Sequence, residues 1–242
     1  MSLLRVLVFH GFRQSDVIFK GKTGALRQRL RRSVDFTYIC APNPYSVGES
    51  EHDDKDTSCR VEEYAWWRAN DDGSVYHGVE ETLTHIRRVL RDAPVPFDGF
   101  LGFSQGAVVV SVLAAMRGTS ADVDRLIERN CRFVWLVGGL PPRAPSLQSL
   151  FPADGIALPS LHVIGQGDKM IPADLQRRLA GMYQSPVIHC HSGGHFVPAT
   201  AADATAYASF LASFSDCTVQ VDEDCGDAIS DNGVGDRTSA SL

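Results

Sequence analysis

Residues 97–116 read FDGFLGFSQGAVVVSVLAAM and carry the strongest structural signal in the chain. The first part, Phe97–Phe103, is apolar enough for a buried strand, and the second part, Gln105–Met116, predicts an apolar helix. Ser104 stands between them in the motif Gly102-Phe103-Ser104-Gln105-Gly106. A strand that passes through a G-x-S-x-G turn directly into a helix holds its serine in a strained turn at the edge of a parallel sheet. The stretch therefore predicts an α/β domain with an exposed, reactive serine.

Strands and helices alternate on both sides of this stretch. We predict further strands over Leu3–Phe9, Phe36–Ala41, Phe133–Val137, Leu161–Ile164 and Val187–His191, and further helices over residues 21–32, Gly78–Arg91, Asp122–Arg129, 173–183 and Ala199–Phe214. Alternation of this kind forms a mostly parallel sheet covered by helices. We therefore expect an α/β fold with a central sheet of about six strands and helices on both faces.

The chain is expected to form one domain over residues 1–215, followed by a tail over residues 216–242. The body is close to neutral, whereas the tail holds seven acidic residues and one arginine. Because the tail has few large apolar groups, it cannot bury enough surface to offset its ordering entropy, and we predict that it is disordered. Residues 43–75 and 139–159 are long connections, and the sequence does not decide whether either forms a lid.

The composition argues against several classes of protein. A neutral body offers no electrostatic footprint for nucleic acid or for an anionic membrane. The apolar runs reach about nine residues, well short of the roughly 20 that span a bilayer. None of the six cysteines forms a CxxC pair, which argues against a structural zinc site. We recognise no signal peptide, so we expect a cytoplasmic location, reduced thiols and no stable membrane insertion. No pattern indicates an oligomeric state.

Two later loops carry the residue types that would activate Ser104. Asp168 follows the predicted strand Leu161–Ile164, and His195 lies on a glycine-rich loop before the last helix. In open α/β sheets, functional groups gather beyond the carboxyl ends of the strands, and the chain order Ser, Asp, His is that of α/β-hydrolase triads. A neutral imidazole can take the serine proton, and a carboxylate fixes its tautomer. We therefore predict Ser104 as nucleophile, His195 as general base and Asp168 as the orienting acid.

Structural alternatives exist for these residues and for their neighbours. Ser104 by itself could merely cap the following helix. Asp174 is a rival acid, although its place inside the next predicted helix is typical of a solvated first-turn residue. We interpret His189 and His191 as structural residues of one strand. Their spacing to His195 could suggest a metal, but no carboxylate lies between or beside them in the sequence, and we predict no metal site.

The end of the first strand supplies a candidate oxyanion hole. It reads His10-Gly11-Phe12, and a His-Gly turn at this place provides a second oxyanion donor in hydrolases with a G-x-S-x-G serine. Gly11 lets the chain turn so that the backbone N–H of Phe12 faces the serine. The free N–H of Gln105 at the start of the helix is the other expected donor. His10 is expected to shape this loop rather than to act as a base.

Together these motifs resemble the FSH-type serine hydrolases, a family that includes the ovarian cancer gene 2 proteins. The matching pieces cover about residues 3–214 and are His10–Ser15, Ala65–Trp67, Tyr76–Leu90, Gly102–Gly106 and Ser192–Pro198. The resemblance implies an α/β-hydrolase fold and hydrolysis of carboxylic esters by Ser104, His195 and Asp168, with no cofactor. The acidic segment 49–56 and Asp16 depart from the family pattern, which leaves the shape of the substrate open.

Four apolar residues are candidates for a substrate pocket. Met170 and Phe196 stand beside the predicted catalytic positions. Trp66 and Trp67 could line an acyl pocket or could pack against the body to fix their loop, and the sequence favours neither. A neutral, partly aromatic site suits a small-molecule acyl or alkyl ester. The alternatives are a thioesterase or protein deacylase with the same triad, or a ligand-binding member of the fold without useful turnover.

Overall fold

The structure is a computed structural model that describes residues 3–45, 62–117 and 121–215. The acidic segment 49–56 and the tail 216–242 lie outside these ranges. In chain order the elements are β1 (Leu4–Phe9), α1 (Asp16–Lys22), α2 (Gly24–Leu30), β2 (Val34–Ile39), β3 (Asn43–Pro44), β4 (Tyr64–Ala65), β5 (Arg68–Ala69), β6 (Tyr76–His77), α3 (Val79–Asp92), β7 (Gly99–Phe103), α4 (Gln105–Ala115), α5 (Ala121–Asn130), β8 (Phe133–Val137), α6 (Pro145–Gln148), β9 (Ser160–Gly165), α7 (Ala173–Ala180), β10 (Pro186–His191) and α8 (Ala201–Ser215).

Six strands form one central sheet in the order β10-β9-β8-β7-β1-β2, and every pair in it is parallel. The prediction of a parallel sheet of about six strands is confirmed. After β2 the chain returns to the other side of β1, so the direction of winding reverses between β1 and β7. The loops that leave these two strands diverge at their carboxyl ends and open a crevice, which is where ligands bind in open α/β sheets.

Alternate residues of the inner strands face opposite layers of helices. On β8, Val134 and Leu136 belong to one buried cluster, in which residues of α3, α4, α5 and α7 take part. Phe133, Trp135 and Val137 belong to a second cluster with residues of α1, α2 and α8. Both faces of the sheet are therefore buried, which explains why the strand sequences are continuously apolar rather than alternating. The prediction of helices on both faces is confirmed.

The first helical segment differs from the predicted single helix over residues 21–32. It consists of two helices, α1 and α2, which meet at Thr23. Helix α1 begins earlier because the Ser15 hydroxyl accepts a hydrogen bond from the N–H of Ile18, at 3.2 Å, and so caps the first turn. The Thr23 hydroxyl donates to the carbonyl of Phe19 at 2.9 Å at the junction. This start at Asp16 brings α1 to the edge of the crevice.

Both long connections contain parts that are packed against the body. In the first, β3 pairs with β4 and β5 pairs with β6 in two short antiparallel ladders. The second, residues 139–159, contains the single turn α6 and buries Ala144 and Leu147 in the cluster beneath it. Within the described ranges no helix is long and apolar enough to cross a bilayer. The three cysteines in those ranges, Cys40, Cys131 and Cys190, are free thiols.

Candidate active site

Ser104 occupies a sharp turn between β7 and α4. Its backbone angles are φ 54° and ψ −118°, and positive φ is costly for a residue with a Cβ atom. The surrounding contacts impose this turn. A Cβ on Gly102 would lie 2.6 Å from Cα of Ala107, and a Cβ on Gly106 would lie 2.6 Å from the carbonyl oxygen of His10. Glycine at both positions therefore lets helix, turn and strand pack closely enough to hold the strained serine.

The three side chains singled out by the sequence form a row of hydrogen bonds. Nε2 of His195 lies 2.9 Å from Oγ of Ser104, and Nδ1 of His195 lies 2.6 Å from Oδ2 of Asp168. The Asp168 side chain is 1% exposed and the His195 side chain 11% exposed. With Asp168 as a carboxylate, Nδ1 carries the imidazole proton and Nε2 is free to accept a proton from the serine.

The Asp168 carboxylate is fixed by donors on its own loop and on α7. The N–H groups of Met170 and Ile171 both donate to Oδ1 at 2.9 Å. The Gln176 amide donates to Oδ2 at 3.2 Å and to the carbonyl of Ile171 at 2.6 Å. Charge-assisted bonds of this kind are stronger than neutral ones and hold the carboxylate in one orientation. Asp174, the rival acid, is exposed in the first turn of α7.

Gln176 was not predicted as a site residue, although its position on the helix could have indicated it. Gln176 stands three residues before Leu179 and four before Ala180, so it lies on the buried face of its helix. A polar residue on that face requires a partner. Its amide also accepts a hydrogen bond from the N–H of Gly165 at 3.2 Å, and it therefore joins the end of β9 to the Asp168 loop.

The His195 ring is held from two sides. A Cβ on Gly138, which has φ 58°, would lie 3.1 Å from Cε1 of the ring, so a larger residue at this position would press on the imidazole and would strain the backbone. The Phe103 ring lies against the imidazole on another side, with centroids 4.8 Å apart. Gly138 was not predicted as a site residue from the sequence. The pattern that could have indicated it is the pair of glycines that directly follows β8. Together with the hydrogen bonds to Asp168 and Ser104, these contacts place the imidazole between the two residues.

The loop after β1 is fixed by His10. Its Nε2 accepts a hydrogen bond from the N–H of Ala41 at 2.9 Å, so Nδ1 carries the proton and donates to the carbonyl of Gly11 at 2.7 Å. Burial lowers the pKa of His10 below its ordinary value, which keeps the ring neutral. Gly11 lies against the serine, since a Cβ there would be 3.4 Å from Cβ of Ser104. The loop therefore brings the backbone of Phe12 to the crevice.

Trp66 and Trp67 lie in the core and do not line the crevice. The Trp66 indole is completely buried and donates to the carbonyl of His10 at 2.8 Å. Trp67 is stacked on Tyr76 with centroids 5.2 Å apart. The Gln105 side chain accepts from the N–H of Trp66 at 2.9 Å and donates to the carbonyl of Trp67 at 2.8 Å. Of the two roles that the sequence left open, these contacts are those of packing against the body, and the buried Trp66 indole with its satisfied N–H helps to fix the loop.

A cavity of about 440 Å³ opens at Ser104 and His195, and we call it the site cavity. Its apolar lining consists of Phe12, Phe19, Phe103, Met170, Phe196 and Val197, and its other lining residues include Gln14 and Lys22. Met170 and Phe196, both named from the sequence as pocket candidates, are 73% and 51% exposed and therefore lie at its mouth. Volume and lining are those of a small-molecule site.

The remaining histidines of β10 have partners of their own. Nε2 of His189 lies 2.7 Å from Oδ1 of Asp203 on α8, a carboxylate that is distant in the sequence but adjacent in space. The His191 ring packs edge-on against Phe196, with centroids 5.2 Å apart, and burial lowers its pKa. Among the residues that the structure describes, no group of three potential ligands is placed to hold a metal ion.

Comparison with known proteins places these features in a family. The family model described as "Serine hydrolase (FSH1)" matches residues 1–207. The chain is 35% identical to human Esterase OVCA2 over 226 residues, which cover 88% of this chain and 97% of that protein. It is 37% identical to the bovine Esterase OVCA2 over 227 residues, which cover 88% and 98% of the two chains.

Solved structures with much lower sequence identity share the fold. Maize acyl-protein thioesterase 2 superimposes with a TM-score of 0.57 at 15% identity, over 87% of this chain and 95% of that one. The Bacillus cereus carboxylesterase superimposes with a TM-score of 0.57 at 12% identity, over 87% and 88% of the two chains. These similarities identify the fold as that of the α/β-hydrolases.

Proposed function

Because the chain belongs to the FSH1 serine hydrolase family, we propose that it hydrolyses carboxylic esters of acyl or alkyl type through an acyl-enzyme on Ser104. The observation that carries this proposal is the row of hydrogen bonds from Ser104 through His195 to the buried Asp168. The row ends at an apolar cavity in which an ester can reach the serine.

In the proposed reaction, Oγ of Ser104 attacks the ester carbonyl while Nε2 of His195 accepts the hydroxyl proton. Asp168 stabilises the imidazolium that forms. The imidazolium then donates this proton to the departing alkoxide, which leaves as the alcohol. A water molecule attacks the acyl-enzyme in the same way, with His195 as base, and releases the carboxylic acid and the free serine.

The backbone N–H groups of Phe12 and Gln105 are the proposed oxyanion donors. Gln105 is the first residue of α4, so its N–H has no partner within the helix. Phe12 follows Gly11, which lies against Ser104. Two N–H groups aimed at the developing negative charge stabilise the tetrahedral intermediate more than the planar ester, and this difference lowers the barrier.

The proposed substrate is a small molecule with an apolar part beside its ester. Aromatic and aliphatic side chains form most of the lining of the site cavity, and burial of an apolar chain there contributes roughly 0.8 kcal/mol per methylene. Ester hydrolysis by this route requires no cofactor. We also propose a cytoplasmic location, for the reasons given from the sequence.

A fluorophosphonate probe tests the nucleophile directly. We expect one covalent adduct per chain, detected by intact mass, on the wild type and none on Ser104→Ala. Turnover of p-nitrophenyl esters should fall by about 10³-fold or more in Ser104→Ala, because the nucleophile is lost. Ser209→Ala is the matched control, since Ser209 is exposed on α8 and its hydroxyl bonds to the carbonyl of Thr205.

Two results would contradict the proposed function. One is a Ser104→Ala protein that keeps wild-type turnover while its circular dichroism and melting temperature are unchanged. The other is a folded wild type that neither reacts with the probe nor hydrolyses any ester of a chain-length series. The second result would favour a ligand-binding member of the fold.

A further inference from the structure

One charged side chain lies in the lining of the site cavity. Among the described residues that form this lining, Lys22 is the one lysine or arginine, and none is an aspartate or glutamate. The reaction proposed above gives Lys22 no part, because proton transfer and oxyanion binding are supplied by other groups. Lys22 is itself exposed, so it lies on the solvent-facing side of the cavity, where it can meet a charged group of a bound ligand.

The cavity wall leads from the serine to Lys22 in three steps. Phe103 directly precedes Ser104, and its ring is stacked on that of Phe19 with centroids 5.4 Å apart. Lys22 follows Phe19 by three residues on the same helix, α1. Residues three apart share a helix face and are about 4.5 Å apart along the axis. An apolar stretch of wall, formed by Phe103 and Phe19, therefore lies between the serine and Lys22.

Lys22 is available to a ligand. Within the part of the chain that the structure describes, no carboxylate forms an ion pair with it. The segment from Arg13 to Arg32 that contains Lys22 is also basic, since it holds seven lysines and arginines and one aspartate, although Arg13 is paired with Glu63. That aspartate, Asp16, lies at the opposite end of α1 from Lys22. The local field therefore attracts an anion, although the whole chain is acidic.

We propose that Lys22 binds an anionic group of the substrate. The natural substrate is then an ester or thioester that is apolar next to the reacting carbonyl and carries a carboxylate or phosphate beyond that apolar part. The anionic group belongs either to the acyl chain or to the leaving group. This inference rests on the proposed function, and it defines the substrate class more narrowly than that function does.

The experiment uses two matched pairs of substrates. For the acyl side, mono-p-nitrophenyl suberate is compared with p-nitrophenyl octanoate, which has the same chain length and ends in a methyl group. For the leaving-group side, octanoyl coenzyme A is compared with the octanoyl thioester of N-acetylcysteamine, which lacks the phosphates. The quantity measured in each pair is the ratio of kcat/KM for the anionic substrate to kcat/KM for the neutral one.

In one of the two pairs, this ratio should be about five-fold lower in Lys22→Met than in the wild type, which corresponds to about 1 kcal/mol, the upper end for an exposed ion pair. Lys22→Arg should keep most of the ratio, because it keeps the charge. Lys20→Met is the matched control and should keep the wild-type ratio, since Lys20 is exposed on the same helix and does not line the cavity. The pair that responds identifies the side of the substrate that bears the charge.

The inference is overturned if Lys22→Met changes the ratio by less than two-fold in both pairs, or if Lys20→Met lowers it as much as Lys22→Met does. Sodium chloride provides a second readout, because an ion pair near the surface weakens as salt rises. A wild-type ratio that does not fall between low and high salt in the responding pair also contradicts the inference. If the wild type does not hydrolyse the neutral esters at all, the proposed function itself is refuted. Failure of the proposed function can therefore be distinguished from failure of the inference about Lys22.

Discussion

At the scale of single residues, the orientation of Asp168 depends on Gln176. The Gln176 amide is buried and joins three groups: the Asp168 carboxylate, the carbonyl of Ile171 and the N–H of Gly165. Gln176 touches neither Ser104 nor the site cavity, so it is a positioning residue rather than a catalytic one. Its loss would leave the carboxylate with fewer donors and its loop with fewer anchors.

We therefore predict that Gln176→Leu lowers kcat by about ten-fold, the effect of one lost hydrogen bond to a charged group, and leaves KM within about two-fold. The reason is that a less ordered Asp168 holds His195 less well, whereas the cavity lining is unchanged. Steady-state kinetics and the rate of fluorophosphonate labelling measure the effect. Gln184→Leu is the control, since Gln184 is exposed and its side chain bonds to the carbonyl of Gly155. A rise in KM at constant kcat would argue against a positioning role.

At the scale of elements, the site depends on how closely α4 approaches β1. A Cβ at Gly106 would overlap the carbonyl oxygen of Phe9 and would lie 2.6 Å from that of His10. Both contacts are with backbone, which cannot move aside without shifting the strand or the helix. The same approach sets the relation between Ser104 and the loop after β1, so stability and activity share one packing constraint.

Gly106→Ala should lower the free energy of unfolding by roughly 2 kcal/mol or more and should slow probe labelling of Ser104, because helix and strand must separate. Gly21→Ala provides the contrast. Gly21 lies within α1, and a Cβ atom there would meet no atom within 4 Å outside its own helix, so alanine should raise the free energy of unfolding by about 0.5–1 kcal/mol. Urea unfolding of both variants measures the two changes. An equal effect of the two substitutions would show that the approach of α4 to β1 is not limiting.

At the scale of the whole molecule, buried histidines make stability depend on pH. His162 on β9 is buried beside Ser160 and Tyr183, and burial lowers its pKa to about 3 from an ordinary value of 6.5. Between these two values the unfolded chain binds a proton that the folded chain does not. The free energy of unfolding therefore falls as the pH is lowered from 6.5 towards 3.

We expect the wild type to lose about 2–3 kcal/mol more stability than His162→Phe between pH 6.5 and pH 4.5, since each pH unit of a proton bound only by the unfolded chain is worth about 1.4 kcal/mol. Phenylalanine keeps a ring against Tyr183 but cannot be protonated. Urea unfolding at a series of pH values gives the two curves. His77→Phe is the control and should follow the wild type, because His77 is exposed. Parallel curves for the wild type and His162→Phe would contradict the prediction.

Much of the architecture could be predicted from local sequence. The apolar runs that became β1, β7 and β8 are buried on both faces, so composition alone marks them as inner strands of a parallel sheet. The G-x-S-x-G turn could also be predicted, because its glycines are needed for close packing of backbone within a few residues of the chain. Helix boundaries were harder to predict: the segment predicted as one helix over residues 21–32 belongs to two helices, and the first of them begins at Asp16 because the Ser15 hydroxyl caps it.

By itself, the sequence determined the fold class, the family and the order in which Ser104, Asp168 and His195 follow their strands. Each of these three properties follows from local sequence patterns of a few to about twenty residues. The tertiary structure decided what each side chain meets: it placed Trp66 in the core and brought Lys22 to the cavity of Ser104. Such contacts join residues far apart in the chain, and they depend on how helices and loops pack on the sheet, which no local pattern specifies.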